Sequence, residues 1–189
     1  MKSFFLLMLF GFALVVPAEP QTGQQTPGKD PLTTFLRARY TRDRNFIAGA
    51  AEKMPEQFYG MRPGPQTEVR TFGELVGHLA NYNFLVCSNV KGEKNPNEGN
   101  DFEKLQGKAQ LVKALNDAFS YCDSVYGSLT DASAMEPLPA PSQKDAGRPV
   151  QLRVNLLIFN YAHNYEHYGN MVTYMRIKSI VPPSSEPGH

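Results

Sequence analysis

The segment His163-Asn164-Tyr165-Glu166-His167 places two imidazoles four residues apart inside an apolar-periodic stretch. On an α-helix such a pair leaves the same face one turn apart. Neutral imidazole donates a nitrogen lone pair near pH 7 and is the commonest side-chain ligand for transition metals. The chemistry on offer is metal binding. With only four histidines in the chain, such a pair also arises by chance, so its meaning depends on what else can converge on it. His78 is the other histidine within a predicted helix. Three imidazoles from two helices would leave one coordination position for water or substrate, the open arrangement of catalytic zinc.

The same pentapeptide spells H-x-x-E-H, a peptidase pattern in which the glutamate acts as general base. Those peptidases need a further ligand well downstream, and the carboxylate available there is Glu186 in a Pro/Ser-rich tail. Glu166 is therefore read as a solvent-facing charge. Glu74, one turn before His78, could orient that ring, but its place in a capping box already accounts for it. Asn160 and Asn170 lie three residues before His163 and three after His167, as ligand-polarising groups or as buried amides bridging helices. Gly169 within a helix implies close approach of a neighbouring helix or a substrate. Tyr82, Tyr126, Tyr165, Tyr168 and Tyr174 read as core aromatics, any of which could donate a proton beside an open metal. No P-loop, dinucleotide-binding glycine pattern, nucleophile elbow or Cys-x-x-Cys is present.

Four long helices must position these groups. Asp30-Pro31 is an N-cap with proline at the first helical position, and Leu32, Phe35, Leu36, Phe46, Ile47, Ala50 and Met54 carry helix one over about 31–54. After a Gly/Pro loop, Thr71 and Glu74 form a capping box opening helix two, with Phe72, Leu75, Val76, Leu79 and Val86 as its stripe and an end near Val90. His78 sits at the edge of that stripe. Asn100 and Glu103 read as a second capping box, starting helix three through Leu105, Val112, Leu115, Phe119, Cys122, Tyr126 and Leu129. A proline-bearing crossover over about 131–148 leads to helix four, about 149–180, stopped by Pro182-Pro183. Its broad face holds Leu152, Leu156, Phe159, Asn160, His163, His167, Met171 and Tyr174. Four amphipathic helices without a strand pattern make an all-α four-helix bundle, with a long connection between helices three and four.

The N-terminus reads as a secretory signal peptide, with Lys2 before an apolar run from Phe4 to Val16 and cleavage after Ala18. That run is too short to span a bilayer, so the chain is expected to be exported, periplasmic or secreted, and not integral to the membrane. Residues 19–29 read as a disordered leader, 30–183 as the domain and 184–189 as a loose tail. The formal charge is +1; loss of Lys2 with the signal peptide brings it to 0, which argues against nucleic acid as a partner. Two cysteines, Cys87 and Cys122, would meet an oxidising compartment; a disulfide and two separate buried thiols are both open readings.

Two segments then carry a resemblance: Thr71-Phe72-Gly73-Glu74-Leu75-Val76-Gly77-His78-Leu79-Ala80 and His163-Asn164-Tyr165-Glu166-His167-Tyr168-Gly169-Asn170, with Tyr174-Met175-Arg176 and Val181-Pro182-Pro183 beyond. Over about residues 31–183 the chain resembles the DinB-like family of four-helix-bundle proteins, specifically its exported members. The resemblance implies a three-histidine divalent-metal site on His78, His163 and His167, with zinc as the leading ion and nickel as the alternative. It implies less about reaction, since relatives include thiol-dependent S-transferases and metal-dependent hydrolases or isomerases, and many pair as homodimers. The frequent H-x-G-Q continuation of the family stands here as His167-Tyr168-Gly169-Asn170, a shorter amide arm. Export would separate the chain from cytosolic thiols and so disfavours the transferase. The expectation is a metal-dependent hydrolase or transferase acting on a small-molecule substrate or thiol. The alternative is a non-catalytic metal-binding or stress-response protein with a structural ion.

Overall fold

The computed structural model describes residues 28–139 and 150–187. The signal peptide, nearly all of the leader and much of the crossover lie outside the described residues. Every regular element within them is helical, apart from a single bridge between Pro137 and Leu152. The helices are α1 (Pro31–Lys53), α2 (Phe72–Lys91), α3 (Lys108–Ser128), a one-turn α4 (Asp131–Ala134) and α5 (Arg153–Ile177).

Four long helices close into an all-α bundle because each carries an apolar stripe. α2 contributes Phe72, Leu75, Val76, Leu79, Val86 and Val90, all buried. Leu111, Leu115, Phe119 and Val125 of α3 and Leu157, Met171 and Met175 of α5 meet them in one core with Leu36, Tyr40, Ile47 and Ala50 of α1. Packing runs round the square α1–α3–α2–α5, so α1 faces α2 and α3 faces α5 across its diagonals. The connection from α3 to α5 is thus a crossover, and it puts α2 beside α5.

Core tyrosines satisfy their hydroxyls on backbone carbonyls. Tyr126 donates to Leu157 (2.9 Å) and Tyr40 to Phe119 (3.0 Å), while the two rings stack at 4.0 Å between centroids. A buried hydroxyl without a partner would cost about 1–3 kcal/mol.

The helix ends correct the sequence reading in four places, the first being the last helix, which runs over Arg153–Ile177 rather than about 149–180. Asp30 occupies the cap position of α1, but its carboxylate accepts from Asp131 N (2.9 Å), while the Asp131 carboxylate accepts from Leu32 N (3.0 Å) and Thr33 N (2.8 Å). Each aspartate caps the other's helix. Asn100 and Glu103 are not a capping box: Asp101 caps a 3-10 turn, Phe102–Lys104, and α3 starts only at Lys108 behind Gly107. Ser184 and Ser185 are not loose, because Pro183–Ser185 form a 3-10 turn in which Ser184 N donates to the Tyr168 hydroxyl (2.9 Å). The Thr71–Glu74 capping box of α2 forms as expected, with Glu74 N donating to Thr71 Oγ1 at 3.1 Å.

Cys87 of α2 and Cys122 of α3 are joined in a disulfide with Cα atoms 5.4 Å apart and a sequence separation of 35. A cross-link across such a loop restricts the unfolded chain and typically adds about 2–4 kcal/mol. Replacing both cysteines by alanine is expected to lower the unfolding free energy by about that amount, read from urea denaturation. A midpoint unchanged from the parent would show that the bridge adds nothing.

Candidate metal centre

His78 lies on the second turn of α2, and His163 and His167 lie on successive turns of α5 where it packs on α2. The three rings meet through one nitrogen each. His78 Nε2 stands 3.2 Å from His163 Nε2, and His167 Nε2 stands 3.1 Å from the same atom. One ligand atom from each histidine thus falls within 4.8 Å of the other two, a cluster that can hold a metal ion. The convergence expected of His78, His163 and His167 is present.

The surroundings keep two of the imidazoles unprotonated. Burial pushes His163 down to about 3 and His167 down to about 4, helped by the neighbouring imidazoles and by Arg70. Both rings are then neutral at pH 7 and carry a lone pair. Lone pairs facing each other at such distances repel, so the three nitrogens must share a proton or a cation.

The outer nitrogens decide which one is free. His78 Nδ1 lies 2.8 Å from Glu103 Oε1, so the carboxylate accepts the Nδ1 proton and turns the Nε2 lone pair toward the cluster. Glu103 is itself held by Arg70, which donates from Nε (2.8 Å) and from Nη2 (3.3 Å). The paired charges hold the Glu103 carboxyl below the usual glutamate range against the opposing effect of burial. His167 Nδ1 is 3.3 Å from the side-chain amide of Asn170, so Asn170 does contact the cluster. His163 Nδ1 is buried without a hydrogen-bond partner; its ring is fixed instead by stacking on Tyr82, at 3.8 Å between centroids.

Glu103, the residue that steers His78, is one the sequence reading assigned to a cap. It reaches the ring because the linker between α2 and α3 lies directly on α2. A Cβ at Gly77 would stand 2.4 Å from the Phe102 carbonyl oxygen, so only glycine admits this approach. Asn81 completes the clamp, accepting from Phe102 N (3.0 Å) and donating to Asp101 Oδ1 (2.9 Å). Glu74 serves the capping box and accepts from Arg62 (3.4 Å), as the preferred reading had it.

Other expectations divide. Asn160 is a buried bridging amide, donating to Asn83 Oδ1 (3.2 Å) and to the Tyr126 hydroxyl (3.3 Å). Gly169 is exposed with open space where a Cβ would stand, so no helix approaches it there. Tyr126, Tyr168 and Tyr174 are buried, Tyr82 faces the cluster, and Tyr165 is exposed. Glu166 is exposed to solvent, and Glu186 pairs with Lys53. Neither joins the histidines, which removes the geometry the peptidase pattern requires. Beside His167 opens a cavity of about 270 Å³.

An all-α bundle with a three-histidine cluster between two neighbouring helices defines the class of protein. The sequence profile of the DinB superfamily matches residues 39–171, and the chain belongs to that superfamily. Solved structures repeat the fold. A DinB-like protein from Bacillus subtilis superposes with a TM-score of 0.58 at 17% identity, over 77% of this chain and 92% of its own. A conserved protein from Enterococcus faecalis gives 0.61 at 14% identity, over 78% and 98%. An uncharacterised protein from Escherichia coli gives 0.57 at 15%, over 78% and 95%. No curated protein matches the chain in sequence.

Two outcomes check the centre. Glu103→Gln and, separately, Gly77→Ala are each expected to weaken divalent-metal affinity by about 10–100-fold, measured by competition with a chromogenic chelator; affinity equal to the parent would remove the linker from the centre. The depressed histidines also set a pH dependence. Below the ordinary pKa of 6.5 the unfolded chain binds protons that His163 and His167 refuse when folded. Stability of the metal-free protein should therefore fall as pH drops from about 6.5 toward about 3, and His163→Gln/His167→Gln should flatten that slope in pH-series denaturation.

Proposed function

We propose that the chain is an exported, metal-dependent enzyme in which His78, His163 and His167 hold a divalent ion, zinc first, for hydrolysis of or group transfer to a small substrate. The observation that supports it is the convergence of three Nε2 atoms, one of them aimed by a hydrogen-bonded carboxylate. A divalent ion bound there supplies Lewis-acid polarisation and lowers the pKa of water toward about 7. The residues supply the rest. Glu103 fixes the tautomer of His78, Tyr82 fixes the plane of His163, and Asn170 holds the outer nitrogen of His167.

A purely structural ion is the second reading, and the ligand count weighs against it. Structural zinc takes four protein ligands, whereas the cluster among the described residues has three members. Both cysteines are spent in the disulfide and Glu103 is spent on His78 and Arg70. Outside the cytoplasm small thiols are scarce, so hydrolysis leads over thiol transfer.

Protein purified without a His tag is expected to contain about one divalent ion per chain by elemental analysis, as a single three-histidine site requires. His163→Ala or His167→Ala should remove most of it, and Glu166→Gln should leave it unchanged. The loaded protein should turn over at least one member of a panel of small esters, amides and thiol acceptors. Tight metal with silence across the panel would favour the structural ion, and a metal-free protein would end both readings.

A further inference from the structure

The cavity beside His167 has a chemical character of its own. On α5 its wall is the face His167, Asn170 and Tyr174, spaced at one and two turns, and opposite lies the segment before α2 with Arg70. Arg70 is already fixed in place. The Tyr174 hydroxyl donates to its carbonyl oxygen, and Glu103 takes the protons of Nε and Nη2. Its Nη1 makes no hydrogen bond among the described residues, and its side chain is 42% exposed. A guanidinium with one edge occupied and another free is a ready half of a charge-assisted pair with an oxyanion.

The charge balance points the same way. Three neutral imidazoles leave the charge of a bound divalent ion undiminished, and Arg70 offsets Glu103. The rest of the wall is Thr173 and the apolar Pro63, Val69 and Leu75, while the Glu68 carboxylate, also in the lining, opposes a second negative group.

We infer that this cavity binds a small monocarboxylic acid with an apolar body, its carboxylate on Arg70 and its body against Val69 and Leu75. The link to catalysis rests on the metal reading above. Hydrolysis of an ester or amide adds water across the acyl bond: the acyl half leaves as a carboxylate, one proton of the water goes to the departing alcohol or amine, and the other is released to solvent or taken up by the amine as its ammonium. A cavity fitted to a carboxylate beside the centre then receives the acyl half of the substrate and holds the product acid.

The test uses sodium benzoate and its neutral isostere benzamide, titrated calorimetrically into the full chain, metal-free and loaded with Co²⁺. Benzoate should bind at least about tenfold more tightly than benzamide, the ratio expected from one charge-assisted hydrogen-bonded pair. It should also shift the visible bands of the bound Co²⁺. Arg70→Gln should abolish the preference. Since that change also releases Glu103, two further variants separate the effects. Glu103→Gln frees Arg70 and should bind benzoate as tightly as the parent or more so. Thr173→Phe, at the cavity wall on α5, should block benzoate while leaving metal content intact. Equal binding of benzoate and benzamide, or unimpaired binding by Thr173→Phe, would overturn the inference even with normal metal content. Absence of Co²⁺ uptake would instead sink the metal reading, and the metal-free titration would then decide the cavity alone by the same preference and the same block.

Discussion

The register of α2 against α5 is the constraint on which the centre depends, and buried amides set it. Asn83 of α2 donates to Asn164 Oδ1 (2.9 Å) and accepts from Asn164 (3.1 Å) and Asn160 (3.2 Å), all three side chains fully buried. Apolar stripes tolerate a slide of one turn, because one leucine resembles the next. A reciprocal amide pair does not, since a shift would leave several buried donors and acceptors empty at about 1–3 kcal/mol each. His78 lies five residues before Asn83, and His163 is the neighbour of Asn164. With the amides paired, the imidazoles have one place to be.

A second constraint acts along the linker between α2 and α3. The backbone at Phe102 touches α2 at Gly77, and from that contact Glu103 reaches His78 while Arg70 reaches Glu103. The chain Arg70–Glu103–His78 carries charge from the rim of the cavity to the centre without leaving a bare carboxylate beside it. A glutamate with no arginine would cancel part of the field of a cation at the histidines. With Arg70 attached it orients the ring and contributes little net charge.

Much of this was legible in the residues themselves. The stripe of α2, the Thr71–Glu74 box and the H-x-x-x-H pair on the last helix each depend on local spacing and stand as read, whereas Phe35 of the helix-one stripe is exposed and Leu105 of the helix-three stripe lies before α3 begins. The errors share a physical origin in contacts between residues distant in the chain. Asn100 and Glu103 have the spacing of a cap, yet Glu103 is drawn 25 residues back to His78. Asp30 looks like its own helix's cap, yet Asp131 takes that role from about a hundred residues away. Gly169 drew notice as a helical glycine although its surroundings are open, whereas Gly77, also within a helix, bears the close approach. The glycines differ only in what lies opposite, and no local pattern encodes that.

The helix that carries most of the chemistry is also the one least able to hold itself in place. α5 commits Asn160, His163, Asn164 and His167 to its inward side, where an ordinary bundle helix would bury aliphatic side chains, and Asn160 Oδ1 remains without a partner. Its partner α2 compensates by being fastened on three sides: to α3 through Cys87–Cys122, to the linker through Gly77 and Asn81, and to α5 through Asn83. Asn83 and Cys87 are one turn apart on α2, so the covalent bond to α3 lies directly beneath the amide cluster. A rigid α2 lets a polar α5 be positioned by hydrogen bonds alone, since only one of the two helices then has to be ordered by the interface. The disulfide thus stabilises the bundle and, through α2, restrains the frame in which three imidazoles are held close enough to share one cation.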